Sequence, residues 1–182
     1  MKVDILIISP FQSGPITPIA EKAYKAGIPT IITDRKVHTE LYTTYIGADN
    51  YDIGKTAGKY AIDYLPQNAV VLEIWGMESS SPAQERHQGF MEALQERSDI
   101  SYLELKGEWR YDTTSVRITR LTLPHQIDFV YAHNDMMAIA AREFFDRYNP
   151  QLSEKLPIIG VDAVPGAGLE AVADERLSAS FM

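Results

Sequence analysis

The sequence predicts an α/β protein built on parallel sheets, and three observations carry that prediction. Apolar runs alternate with helix-period segments along all 182 residues, the pattern of βαβ units joined by right-handed crossovers. The first run, Val3–Ile8, is largely apolar, as expected of a strand buried on both faces. Polar groups stand past four of the runs: Thr33-Asp34-Arg35 after Ile28–Ile32, Gln84-Glu85-Arg86 beyond Val70–Trp75, His133-Asn134-Asp135 after Phe129–Ala132, and Val161-Asp162-Ala163 after Pro157–Gly160. With the runs as parallel strands, each group lies at or beyond a carboxyl end, the rim where open α/β sheets bind ligands.

The elements follow in order. After the Val3–Ile8 strand, Pro10 to Pro15 reads as a loop and Ile16–Ala26 as a helix. Its stripe is Ile16, Ile19, Ala20, Ala23 and Tyr24, and Gly27 is placed to end it. Ile28–Ile32 is the next strand, and Tyr42–Ile46 reads as extended. Asp49 or Asn50 caps a helix from about Tyr51 to Tyr64. Gly54 and Gly58 lower its propensity by about 1 kcal/mol each against Ala. Four residues apart, they share a face, so close packing on a sheet is the expected return. Pro66-Gln67-Asn68 is a turn, Ala69–Trp75 a strand, and Pro82 suits the first turn of a helix running to about Arg97. Ser101–Lys106 is a strand, Thr113–Leu123 a weaker helix, Ile127–Tyr131 a strand and Met136–Tyr148 a helix. Pro157–Val161 is a strand, Gly166–Ala173 a short helix, and Arg176–Met182 a final β-run that stops without a turn. Both ends read as lying inside a domain, so a fragment is expected.

Composition narrows the function classes. At 45% hydrophobic and 23% charged, the chain reads as globular. Its 25 acidic and 17 basic residues give a formal net charge of −8, which argues against nucleic acid as the ligand, because phosphate binding needs a basic face. With no cysteine, disulfides and thiolate chemistry are excluded. No apolar stretch approaches the ~20 residues of a membrane span.

The candidate site residues each have a structural alternative. Asp34 and Arg35 combine a two-oxygen acceptor with a planar donor fork that can bracket vicinal hydroxyls; the alternative is a cap or surface ion pair. Arg86 falls early in its helix, where Arg is usually solvated, but Glu85 and Gln88 are better placed for solvent, with Phe90 and Leu94 for the core. Asn134 offers a donor and an acceptor to a hydroxyl; either it or Asp135 is also a natural helix N-cap. Asp162 is otherwise a turn residue before Pro165-Gly166. Trp109, in a loop between Gly107 and Asp112, presents the rigid apolar face on which sugar C–H groups stack. Trp75, before Gly76, is a second candidate, with core packing the alternative. The histidines, His38, His87, His125 and His133, lack metal-ligand spacing. No Gly-x-Ser-x-Gly elbow and no phosphate loop occur. Polar groups without an assignable nucleophile or base suit a neutral polyhydroxylated ligand, so neither metal nor cofactor is expected.

Taken in order, the segments Val3–Pro10, Gly27-Ile28-Pro29, Thr33-Asp34-Arg35, Gly47-Ala48-Asp49-Asn50 with Gly54, Ser81–Phe90, Ala132–Asp135 with Ala138, and Gly160-Val161-Asp162 resemble the type I periplasmic binding proteins for monosaccharides, the ribose type. LacI-type repressor effector domains share that fold. The resemblance spans the chain, and Ser81–Phe90 with Trp75-Gly76 most resembles periplasmic sensor domains of hybrid two-component systems of gut Bacteroidetes. It implies a two-lobed fold with residues 1–49 as a partial N-lobe and 50–182 as a nearly complete C-lobe. The implied sugar contacts are Asp34 and Arg35 from the first, and Arg86, Trp109, Asn134 and Asp162 from the second. Two N-lobe strands before Val3 and a return beyond Met182 would be missing, leaving a bare strand edge. The chain alone is then expected to bind sugar weakly or not at all and to self-associate. The implied function is a periplasmic, non-enzymatic receptor that closes on a monosaccharide and signals through a sensor kinase in the same polypeptide, with a homodimer as the signalling unit. The alternatives are a solute receptor of an ABC sugar transporter, the effector domain of a cytoplasmic repressor, and a small α/β enzyme acting on a sugar.

Overall fold

The computed structural model describes residues 3–122 and 126–182. Their strands form two sheets, both wholly parallel. The first has the order β1-β2-β3, with β1 at Leu6–Ile8, β2 at Thr30–Thr33 and β3 at Thr44–Ile46. The second has the order β5-β4-β6-β7-β8, with β4 at Val70–Trp75, β5 at Ser101–Lys106, β6 at Phe129–Ala132, β7 at Ile158–Val161 and β8 at Ala179–Phe181. Helix α1 (Ser13–Lys25) joins β1 to β2, and α2 (Asn50–Ile62) leads from the first sheet into the second. Helices α3 (Ser81–Ala93), α4 (Tyr111–Ile118), α5 (Asp135–Tyr148), α6 (Pro150–Ser153) and α7 (Gly168–Ala173) connect the remaining strands. The predicted helix ending at Leu123 closes at Ile118, and Leu123 itself, like His125, lies outside the described residues.

The five-stranded sheet is covered on both faces, which is why its central strands β4, β6 and β7 are buried without alternation. One face packs Leu72, Ile74, Val130 and Ala132 against Met137, Ala141 and Phe145 of α5. The other packs Val71, Phe129, Tyr131 and Ile159 against Ile53, Ala57 and Ala61 of α2 and Phe90 of α3. The three-stranded sheet buries far less, with Ala20, Ile32 and Val37 as its core.

Three expectations are corrected. Val3–Ile8 is not a strand buried on both faces: only Leu6–Ile8 is extended, it is an edge strand, and Ile7 is 64% exposed, because α1 covers one face of this sheet and no described element covers the other. The α1 stripe is half used, with Ala20 buried but Ile19 and Tyr24 exposed, and the helix begins at Ser13 inside the expected loop. The glycines of α2 face a helix rather than a sheet. A Cβ on Gly54 would lie 2.0 Å from the Arg86 carbonyl oxygen, and one on Gly89 would lie 2.1 Å from that of Tyr51. Helices α2 and α3 therefore touch backbone to backbone, while Ile53, Ala57 and Ala61 meet the sheet.

Candidate functional site

Parallel strands bring their carboxyl ends to one rim. Asp34 follows β2 directly, Asp162 follows β7 directly, Asn134 lies two residues past β6 and Trp109 three past β5. Together with Arg86, in the second turn of α3, and Arg35, they line one cavity of about 260 Å³ between the two sheets. All six residues singled out from the sequence meet there. Gly47, Ala48, Asn50 and Pro82 complete the wall.

Arg86 is the centre of the arrangement and is buried. Its Nε donates to Asn50 Oδ1 at 2.9 Å, Nη1 donates to the His133 carbonyl, and Nη2 reaches Asp162 Oδ1 at 3.4 Å. The guanidinium also lies over the Trp109 ring, 5.6 Å from its centroid. Asn50 is free for this because Asp49 caps α2, its Oδ1 accepting from the Asp52 amide at 3.0 Å. The sequence signal at Asn50 was a capping signal, so its second role was hidden. Gly47, Ala48 and Pro82 were missed because they shape the cavity without bearing polar side chains.

Asp34 and Arg35 line the cavity and also pair with each other, as in the ion-pair reading, at 3.6 Å. Arg35 Nη1 donates to the Phe11 carbonyl at 2.7 Å, and its guanidinium lies 5.9 Å from the Trp109 ring centroid. Asp34 has φ 66°, the left-handed region, which an Asp tolerates better than most residues. The Tyr45 hydroxyl, which donates to the Asp34 carbonyl at 2.8 Å, holds that turn.

Asn134 also serves twice. Its Oδ1 caps α5 by accepting from the Met137 amide at 2.9 Å, and Nδ2 donates to the Trp109 carbonyl at 3.2 Å. Trp109 and its neighbour Glu108 both have left-handed φ, 66° and 57°, so the loop that presents the indole is bent sharply. The ring lies on Gly76, where a Cβ would come within 2.2 Å of it. Trp75, the second aromatic candidate, is core: it is buried, its ring centroid 4.3 Å from that of His87 at an interplanar angle of 37°, with Lys106 Nζ 3.8 Å from its ring centroid.

Burial sets the charges beneath and around the cavity. The Asp162 carboxyl is raised, by burial first, with Asp135 adding to the rise and Arg86 opposing it. Burial would also raise Glu73 on β4, but hydrogen bonds from His133 Nε2 at 2.9 Å and His87 Nδ1 at 2.9 Å outweigh it and bring that carboxyl to about 2. His133, wholly buried, is lowered by desolvation and stays neutral, its Nδ1 accepting from the Gly76 amide at 3.3 Å. Lys36 connects the two sheets: its amide donates to Ser81 Oγ at 2.7 Å, its carbonyl accepts from Ser13 Oγ at 2.6 Å, and its ammonium pairs with Glu85 at 2.9 Å. Glu85 is therefore not the free solvent residue expected. Among the described residues one set could gather a metal ion, Glu73, His87 and Glu104, and Lys106 already meets Glu104 at 3.0 Å.

Two parallel α/β sheets with a polar cavity between their carboxyl ends define the type I periplasmic binding protein fold. The family model described as periplasmic binding protein domain matches residues 1–182, and the chain belongs to that family. The ribose import binding protein RbsB of Bacillus subtilis is 29% identical over 178 residues, covering 98% of this chain and 57% of its own length. Among solved structures, the fructose-binding periplasmic domain of a hybrid two-component system is 39% identical with a TM-score of 0.88, covering 98% of this chain and 60% of that one. A Mycobacterium smegmatis protein in complex with β-D-fucofuranose is 29% identical with a TM-score of 0.84, over 96% of this chain and 60% of that one. The chain thus spans about three-fifths of the relatives it matches. No described helix is long and apolar enough to cross a membrane.

Proposed function

We propose that this chain is the larger part of a monosaccharide receptor, a binding protein and not an enzyme, which takes its sugar in the cavity between the two sheets. In this reading residues 1–49 belong to one lobe and residues 50–182 to the other. The observation that carries it is the convergence of Asp34, Arg35, Arg86, Trp109, Asn134 and Asp162 on one cavity of about 260 Å³. That volume is below the roughly 300–1,000 Å³ of clefts for drug-sized ligands and suits a single sugar ring. Carboxylates and guanidiniums supply acceptors and donors for vicinal hydroxyls, and the indole supplies a flat face for ring C–H groups. Because both lobes contribute charged partners, a bound sugar favours the closed arrangement over the open one, the condition for ligand-driven closure.

The periplasm is the compartment that family membership supports. For the output, a sensor kinase fused to the domain is favoured by the 39% identity to the sensor domain of a hybrid two-component system. Delivery to a transporter is the second reading, favoured by the 29% identity to a ribose import protein. Thermal unfolding of the whole two-lobe protein, this chain together with the flanking segments that its longer relatives carry, against D-fructose, D-ribose, D-galactose and their epimers tests the shared claim. At 100 times its dissociation constant a sugar adds about 2.7 kcal/mol, a rise of several degrees in Tm. A rise with one sugar and not its epimer is the expected result; no rise with any of them overturns the reading.

A further inference from the structure

Asp162 reaches the cavity from a loop whose backbone is strained. Asp162 has φ 104° and Ala163 φ 46°, both in the region that favours glycine. Non-glycine residues held there cost of order 1–3 kcal/mol each and persist only where the surroundings over-determine them. Here the surroundings are specific. Three consecutive amides are tied: Asp162 donates to the Phe181 carbonyl at 2.8 Å, Ala163 to Ser180 Oγ at 3.0 Å and Val164 to Asp135 Oδ2 at 3.1 Å. Ser180 in turn donates to Asp135 Oδ1 at 2.5 Å. Two of the three ties therefore run through one carboxylate.

That carboxylate belongs to the first residue of α5, next to Asn134 in the cavity wall, and Asp135 is 1% exposed. Space for it is kept by two glycines. A Cβ on Gly160 would lie 2.3 Å from Oδ1, and one on Gly168 would lie 1.8 Å from Oδ2. A buried carboxylate costs several kcal/mol unless its acceptors are satisfied, and here each oxygen has a donor. Its position at a helix start adds the favourable end of the helix dipole.

We infer that Asp135 is a positioning residue for the binding cavity: it never reaches a ligand, but fixes the strained loop that aims Asp162 at Arg86. The inference rests on the receptor reading for its consequence, not for its geometry. Glycine at 160 and 168 is then a requirement of this carboxylate, and the pairing of Asn134 with Asp135 is a division of labour. Asn134 forms one part of the wall while Asp135 sets the neighbouring part that carries Asp162.

Amide hydrogen exchange by NMR on the sugar-free chain tests the geometry. In Asp135→Ala, the Ala163 and Val164 amides should exchange at least about 100-fold faster while β4 and β6 keep their protection. In Asp135→Asn, protection should largely return, because the amide oxygen can accept from Val164 and the NH2 can donate to Ser180 Oγ. Ser180→Ala, which removes the link to Ala163 and the donor to Asp135 Oδ1 but keeps the Val164 bond to Oδ2, should expose Ala163 and leave Val164 protected. Unchanged protection at Ala163 and Val164 in Asp135→Ala overturns the inference. So does acceleration spread evenly over β4 and β6, which is ordinary destabilisation. If Asp135→Ala does not fold, Ser180→Ala and Asp135→Asn decide by the same amides. D-fructose titration of the whole two-lobe protein reads the consequence separately: affinity at least about tenfold weaker in Asp135→Ala than in Asp135→Asn is expected. A wild type that binds no sugar removes the receptor reading and leaves the exchange result standing.

Discussion

Arg35 and Arg86 face the same cavity from two sheets of different build, and the difference shows how a site is stiffened. Arg86 stands on a helix whose backbone touches α2, above a sheet covered on both faces, and each of its three nitrogens has a partner in Asn50, His133 or Asp162. Arg35 stands on a thin sheet with a bare edge, held by the Phe11 carbonyl and an ion pair at 3.6 Å to an exposed Asp34. One wall of the cavity is pre-organised by the core, and the other depends on a few surface contacts and on the Lys36 bridge to Glu85 and Ser81. Closure is expected to move the second wall and leave the first in place.

Replacing Arg86 should break this comparison most. Arg86→Ala leaves the buried Asn50 oxygen and the His133 carbonyl without their donor. Loss of one partner from a buried charged network costs about 3–5 kcal/mol, which urea unfolding monitored by circular dichroism would report. Next is the helix contact behind it. Gly54→Val drives a branched side chain into the Arg86 backbone, and overpacking of this kind costs about 1–3 kcal/mol, with α3 displaced and sugar affinity lowered together.

The charges under the first wall give it a pH signature. The Glu73 carboxyl is lowered from an ordinary 4.5 to about 2 on folding, so the stability it contributes is complete above about 4.5 and is lost as pH falls toward 2. The lowered His133 acts in the same sense, because its neutral buried form must charge on unfolding in acid. Wild type should therefore exceed Glu73→Gln in stability at pH 7, and the gap should close between pH 4.5 and 2 in urea titrations. A gap independent of pH would contradict the buried carboxylate. The smallest effect is expected on the other wall. Arg35→Ala removes a partly exposed pair worth about 1 kcal/mol or less, so Tm should move little while sugar affinity falls.

Much of this was legible in the sequence because it is local. Strand and helix order, the caps at Asp49 and Asn134, and the polar groups after β2, β6 and β7 follow from patterns within a few residues. What escaped depends on partners distant in sequence. The Val3–Ile8 run cannot report whether a second layer covers it, so an edge strand read as a central one. Gly54 and Gly58 announce close packing without naming the neighbour, which is α3 rather than a sheet. Asn50 carried a capping signal that Asp49 satisfies, and only the folded chain shows its oxygen on Arg86. Short α6, a single turn that starts at Pro150, gives too little periodicity to be seen.

The central claim is that the cleft between the sheets binds a monosaccharide on Trp109, and the indole N–H resonances of the two tryptophans test it most directly. During titration of the whole two-lobe protein with D-fructose and D-ribose, the Trp109 signal should shift with saturation for one sugar. The Trp75 signal, from a ring buried in the core, should move far less. Equal shifts at both rings, or no saturable shift at Trp109 with any monosaccharide, would contradict the account.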